Sequence, residues 1–142
     1  MKLKYPLTLL LSILLFLTSC HKSEEDEIEA VTKDFAEAFY NFDFDEASEY
    51  VTPQSHIFIS LYASNIPSED IAKQRKAGKS EAEIIKVILS KNGTTTTATV
   101  KCKITNHLKL DFLEGTSTIE KVSDKNFDLI KSNNEWLINL HP

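Results

Sequence analysis

Near residue 80 the apolar residues of this chain change their spacing from three and four to two. That switch limits the fold to helices first and strands after. From Glu24 to Phe42, the residues Ile28, Val31, Phe35, Ala38, Phe39 and Phe42 form one apolar stripe at helical spacing, while Glu29, Lys33, Asp34 and Glu37 face water. Asn41-Phe42-Asp43 breaks this helix. Asp43, with Glu46 three residues on, has the spacing of a capping box and opens a short helix through Ala47, Tyr50 and Val51. Thr52-Pro53 punctuates again, with Pro53 suited to a first helical position, and a third helix is expected to carry Ile57, Phe58, Leu61 and Tyr62 on its apolar side. Pro67-Ser68-Glu69-Asp70 starts one more short, polar helix, closed by Gly78.

Beyond the switch, Ile84 to Leu89 is apolar and β-branched and reads as a strand, although Ser80 and Glu83 have capping spacing that leaves a helix open for 80–90. Lys91-Asn92-Gly93 offers a hairpin turn. From Thr95 to Thr105 the chain alternates cleanly, with Ala98, Val100, Cys102 and Ile104 on one face and Thr99, Lys101, Lys103 and Thr105 on the other. Residues 106–122 hold no clear phase, though Leu108, Leu110 and Phe112 alternate as a further strand would. Phe127 and Leu129 resume the alternation, Asn133-Asn134 turns, and Trp136, Ile138 and Leu140 form a last strand. The order implies an α+β domain, with N-terminal helices packed on one face of a strongly curved antiparallel sheet.

Ahead of the helices stand Lys2 and Lys4 and an apolar run from Leu7 to Leu17 broken by Thr8 and Ser12, the pattern of a signal peptide. The run is shorter than the roughly 20 residues a membrane span needs. It ends in Leu17-Thr18-Ser19-Cys20, which resembles the lipobox of bacterial lipoproteins. That resemblance implies cleavage before Cys20, a diacylglyceryl thioether on its sulfur and acylation of the new amino terminus. The chain then divides into a signal peptide at 1–19, a lipidated tether at 20–27 and a single domain at 28–142. The expected location is the cell envelope, anchored in the outer membrane on its periplasmic or outer face. Without Lys2 and Lys4 the net charge of −5 becomes −7, which speaks against nucleic acid and against docking on anionic lipid by charge. His21-Lys22-Ser23-Glu24-Glu25-Asp26-Glu27 reads as a solvated linker with carboxylates at the positive end of a helix dipole. It also resembles the surface-export signal of Bacteroidota lipoproteins, and the two readings are compatible. With Cys20 acylated, Cys102 has no disulfide partner.

Two segments carry a wider resemblance. Phe39-Tyr40-Asn41-Phe42-Asp43-Phe44-Asp45-Glu46-Ala47-Ser48-Glu49-Tyr50-Val51-Thr52-Pro53 looks like a helix–turn–helix segment recurrent in small bacterial lipoproteins, and Asn133-Asn134-Glu135-Trp136-Leu137-Ile138-Asn139-Leu140 looks like their final strand. Such domains are similar to the nuclear transport factor two-like, or cystatin-like, superfamily, which implies a helix wrapped by a strongly bent antiparallel sheet to form a cone. Residues 66–80 and 107–122 depart from the pattern. The superfamily contains ketosteroid isomerases, cyclases, dehydratases and domains without activity, so the resemblance leaves the function open.

Chemistry in such a cone would need a titratable group on an inward position. The inward residues of the well-phased strands are apolar, and Asp128 and Asn139 fall on the solvent phase. His21, His56, His107 and His141 are scattered, with no metal-ligand spacing. Cys102, between Val100 and Ile104, reads as a small buried hydrophobe with an unactivated thiol. The expectation is a non-enzymatic binding or interaction module, free of cofactor and metal, anchored to the membrane through its N-terminal lipid. Its partner would be an envelope protein or a small apolar ligand. The alternative is a carrier or enzyme using the cone for an apolar substrate, with Phe35, Phe39, Tyr62, Cys102, Phe127 and Trp136 lining the cavity.

Overall fold

The computed structural model describes residues 23–111 and 113–141. The signal peptide, Cys20 and Phe112 lie outside the described residues. Ser23 begins the ordered fold by capping helix α1 (Glu24–Tyr40): its hydroxyl accepts from the Asp26 amide at 3.1 Å, and the Asp26 carboxylate accepts from the Ser23 amide at 3.2 Å. The acidic residues Glu24–Glu27 are therefore the first turn of α1. Ile28, Phe35, Ala36 and Ala38 are buried along its inner face, and the buried Thr32 hydroxyl donates to the Ile28 carbonyl at 2.8 Å.

At its far end α1 closes with the Asp43 amide bonded to the Ala38 carbonyl at 2.9 Å and the Phe42 amide to the Phe39 carbonyl at 3.1 Å. The residue held left-handed in this cap is Phe42, with φ 63°, where glycine is the usual choice. Asp43 then caps α2 (Phe44–Ser48), accepting from the Glu46 amide at 3.2 Å. A 3₁₀ turn at Pro53–Ser55 leads into α3 (His56–Asn65), and α4 (Ser68–Ala77) follows.

Helix α3 departs from its expected phase. Ile59 is buried, whereas Ile57 and Leu61 are 60% and 54% exposed. The turn before it sets the rotation: the buried Ser55 hydroxyl lies 2.7 Å from Thr52 Oγ1 and accepts from the Leu140 amide at 2.9 Å. Fixing Ser55 inward carries Ile59, one turn on, inward with it, and Ile57 and Leu61 are turned to solvent.

The stretch left open at 80–90 is strand from Glu81 onward and contains no helix. The sheet is antiparallel in the order β1 (Glu81–Asn92), β2 (Thr95–Asp111), β3 (Thr116–Ser132), β4 (Glu135–Ile138). The first turn falls on Gly93 and Thr94, with Asn92 still paired to Thr95; Gly93 supplies φ 62° at the first central position. Asn133 and Asn134 both take positive φ, as the last hairpin turn requires. Ile85 bulges out of β1, since Ile84 pairs with Cys102 and Lys86 with Lys101. The stretch 106–122 is the outer half of the β2–β3 hairpin, reaching Asp111 opposite Thr116. Its phase was illegible because left-handed Asn106 (φ 52°) interrupts the strand without shifting its register, and His107 and Leu108, adjacent in sequence, are both buried.

The core lies between α1 and the face carrying Ala98, Val100, Cys102, Ile104, Phe127, Leu129, Trp136 and Ile138. The short β4 is fastened to the helical half: the Ile138 amide donates to the Tyr50 carbonyl at 2.8 Å, and the Thr52 amide to the Ile138 carbonyl at 2.9 Å. Phe35, at 1% exposure, is the side chain shared by helix and sheet. Phe35→Ala is expected to cost about 3–5 kcal/mol, read as a drop in the urea midpoint at unchanged slope.

Candidate functional site

The concave face of the sheet is closed by rings. Phe127 meets Phe35 edge-on with centroids 5.6 Å apart, Phe35 stacks on Phe39 at 5.6 Å, and Phe39 lies 5.0 Å from Tyr62. Phe44 flanks the last two at 5.9 Å each. These separations are those of rings in contact, so the interior is packed along this line. Cys102 lies in the same core, fully buried. Desolvation pushes its thiol up to about 11, which makes the thiolate scarce at neutral pH. Four surface clefts border other parts of the fold, and none of them is lined by Phe35, Phe39, Cys102 or Phe127.

Of the six residues expected around a cavity, the structure brings Phe35, Phe39, Phe127 and Tyr62 into one column. Trp136 stands apart, toward the start of α1, beside a cleft of about 440 Å³ that also touches Glu27, Ala30, Val31 and Tyr50. Its ring is 3% exposed, Lys131 Nζ lies 5.8 Å from the ring centroid, and its indole nitrogen has no hydrogen-bond partner among the described residues.

The column surfaces at α3. Tyr62 forms its outer end and also lines an open cleft of about 480 Å³ with Phe58, Leu61, Asn65 and Ile66. His56–Asn65 contains no Asp, Glu, Lys or Arg, and its exposed Ile57 and Leu61 lie one helical turn apart. Burial, aided by Asp70, pushes the Tyr62 hydroxyl above its ordinary range, so it stays a neutral donor at the cleft. Phe42 keeps its strained backbone beside this mouth, its ring 5.8 Å from Phe44. Chemically the cleft can receive an apolar group and offer it one hydroxyl and one amide. The orientation of α3 that creates it was hidden in the sequence, because Ile57, Phe58, Leu61 and Tyr62 fit a helical stripe as well as Ile59 does.

A titratable group missed from the sequence is His107, 1% exposed, with its ring 4.9 Å from that of Tyr40. Its Nδ1 lies 3.2 Å from the Leu108 carbonyl and its Nε2 2.6 Å from Ser123 Oγ, with Glu120 Oε2 at 3.3 Å. Each nitrogen has an acceptor within reach, the Leu108 carbonyl at Nδ1 and the Glu120 carboxylate at Nε2, and the Ser123 hydroxyl can donate to Nε2 or accept from it. Both nitrogens are occupied by the protein itself, which makes this a polar clasp at the bend of the β2–β3 hairpin. The one signal for it was Asn106, a residue that tolerates the left-handed backbone interrupting the strand. His56 is exposed at the start of α3, and His141 lies at the surface 3.7 Å from Asp128. Among the described residues no three His, Cys, Asp or Glu side chains gather as a metal would require.

Burial is the largest influence on His107 and lowers its pKa; Lys125 and Lys109 act in the same direction, while the Leu108 carbonyl and Glu120 oppose them. The unfolded chain therefore takes up this proton first. Stability contributed by the neutral ring is full above about 6.5 and is lost as pH falls through that value toward the folded-state pKa. Chemical denaturation from pH 7.5 down to 5 should show this decline, and His107→Gln should flatten it.

No protein-family model matches the sequence, and no curated protein matches it. Solved structures do. A Campylobacter jejuni protein with the provisional name of a nuclear transport factor two-like transpeptidase aligns at TM-score 0.51 and 18% identity, over 80% of this chain and 97% of its own. A nuclear transport factor two-like protein with a cystatin-like fold from Novosphingobium aromaticivorans aligns at TM-score 0.52 and 14% identity, over 95% of this chain and 86% of its own. At these identities the likeness is one of fold. The chain has the α+β architecture of nuclear transport factor two-like, cystatin-like proteins, with its four-stranded sheet left open at β1 and β4.

Proposed function

We propose that this protein is a lipid-anchored, non-catalytic module of the bacterial envelope, which binds through the outer surface of α3 and not through the hollow of its sheet. The observation that carries the reading is the ring column Phe127–Phe35–Phe39–Tyr62, which fills the space between α1, α3 and the sheet. A transpeptidase needs an activated nucleophile, and Cys102 is buried with its thiol pushed up to about 11. The name of the Campylobacter jejuni neighbour therefore has no matching chemistry in this core. Of the exposed large apolar residues, Leu61 lines the cleft beside Tyr62 with Ile57 one turn away, whereas Ile85, Ile88, Leu89, Leu113 and Val122 border none of the four clefts.

Anchoring rests on the basic start, the short apolar run and Leu17-Thr18-Ser19-Cys20. Each buried methylene adds about 0.8 kcal/mol, so two or three acyl chains hold a domain firmly without help from its acidic surface. Membrane-purified protein should carry the mass of those chains, and Cys20→Ala should appear in the soluble fraction. For the binding surface, aromatic and methyl NMR resonances should be followed while a small apolar probe such as benzene is added. Shifts confined to Phe58, Leu61, Tyr62 and Ile66 are expected. Saturable shifts at Phe35 and Phe127 would favour the carrier reading instead.

A further inference from the structure

The anchor and the fold together fix which end of the domain meets the membrane. Ser23 caps α1 and belongs to the folded domain, and only three residue steps separate it from Cys20. Fully extended, three steps reach about 10 Å. The start of α1 therefore cannot stand farther than that from the lipid that holds Cys20.

Two hairpin turns share this end. The Glu24 carboxylate lies 2.6 Å from Lys131 Nζ and 3.9 Å from Lys91 Nζ. Lys131 precedes the Asn133-Asn134 turn, and Lys91 precedes the Gly93-Thr94 turn. The opposite end is set by α1 itself, whose 17 residues rise about 25 Å. There Phe39 meets Tyr62 of α3, Tyr40 meets His107, and Lys73 and Asp70 of α4 bond to Ser117 near the β2–β3 turn. Glu25, Asp26 and Glu27, exposed in the first turn of α1, lie near the headgroups in either pose; a domain lying on its helices would add Asp34, Asp45, Glu46 and Glu49, all exposed. Desolvating those carboxylates is unfavourable, and an anionic leaflet would repel them.

We propose that the domain stands on the membrane with the Gly93-Thr94 and Asn133-Asn134 turns against the phospholipid headgroups, and that the α3 cleft faces away into the compartment. The inference rests on the lipid anchor at Cys20. It gives the cleft a partner other than lipid, because the apolar surface of α3 is held off the bilayer by the length of α1.

The test uses the full lipidated chain in phosphatidylcholine vesicles containing a headgroup spin-label quencher. Cys102 is buried and Cys20 is thioether-linked, so introduced thiols can be labelled selectively. Fluorophores are placed through Thr94→Cys and Ser132→Cys at the near end, Leu113→Cys at the far end and Val122→Cys on the outer sheet face. Quenching is expected to be several-fold stronger at positions 94 and 132 than at 113 and 122. Inserting about ten Gly and Ser residues after Cys20 should remove most of that contrast, since a flexible linker frees the domain to tumble. Equal quenching at all four positions in the native chain, or stronger quenching at 113 or 122, would overturn the orientation while leaving the anchor intact. Protein that fails to float with the vesicles and carries no acyl mass would remove the anchor, and the orientation with it.

Discussion

Helix and sheet meet in this domain through Phe35, which stacks on Phe39 from its own helix and takes the edge of Phe127 from the sheet. Each such ring pair contributes about 0.5–1.5 kcal/mol beyond the area it buries. The geometry matters more than the sum. The column needs a concave surface to stand against, and two backbone irregularities supply bends: the Ile85 bulge in β1 and left-handed Asn106 in β2. The column in turn fixes where α3 rests, because Tyr62 is its last ring. The packing that stabilises the fold thereby fills the space between α1 and the sheet along this line, which is the basis for proposing recognition on the outside.

The two halves of the domain were not equally legible in the sequence. Helix α1 and the inner half of β2 were plain, since their periods run unbroken for ten or more residues and each buries a single face, whereas in β3 only Phe127 and Leu129 carried the alternation. The caps at Asp43 and the turn at Asn133-Asn134 were also written locally, in residues whose side chains or φ preferences make the structure by themselves. The failures share a cause. At α3 a buried hydroxyl, Ser55, sets the rotation through a bond to Leu140, a residue far away in sequence. At Asn106 one left-handed residue interrupts the strand, and His107 beside it is buried out of turn. Neither event leaves a periodic trace, because each is decided by one residue and a distant partner. Of the six candidate lining residues, the column shows why four belong together. Trp136 was grouped with them by strand phase alone, which cannot separate the two ends of a strand layer.

The acidic tract after the anchor has a structural role that does not compete with an address signal. Ser23 and Asp26 cap α1, and Glu24 bridges two strands through Lys91 and Lys131. Lys131 holds the Glu24 carboxyl below its ordinary range, chiefly by hydrogen bonding to it. Glu25 and Glu27 are exposed in the same turn. If Cys20 is lipidated as proposed, a tether that is also a helix start would have little slack, and the membrane would become part of the domain's geometry. On the proposed anchoring and orientation, the apolar face of α3 would be presented away from the membrane, where another macromolecule can meet it.

The claim on which this account stands is that the concave face is full. Crystals pressurised with xenon test it directly, since xenon enters dry apolar cavities and is visible in difference density. The account predicts no xenon among Phe35, Phe39, Cys102 and Phe127, with any bound atom lying in the surface cleft beside Phe58 and Tyr62. Ordered xenon inside the column, with the rings otherwise in place, would show a cavity there and contradict it.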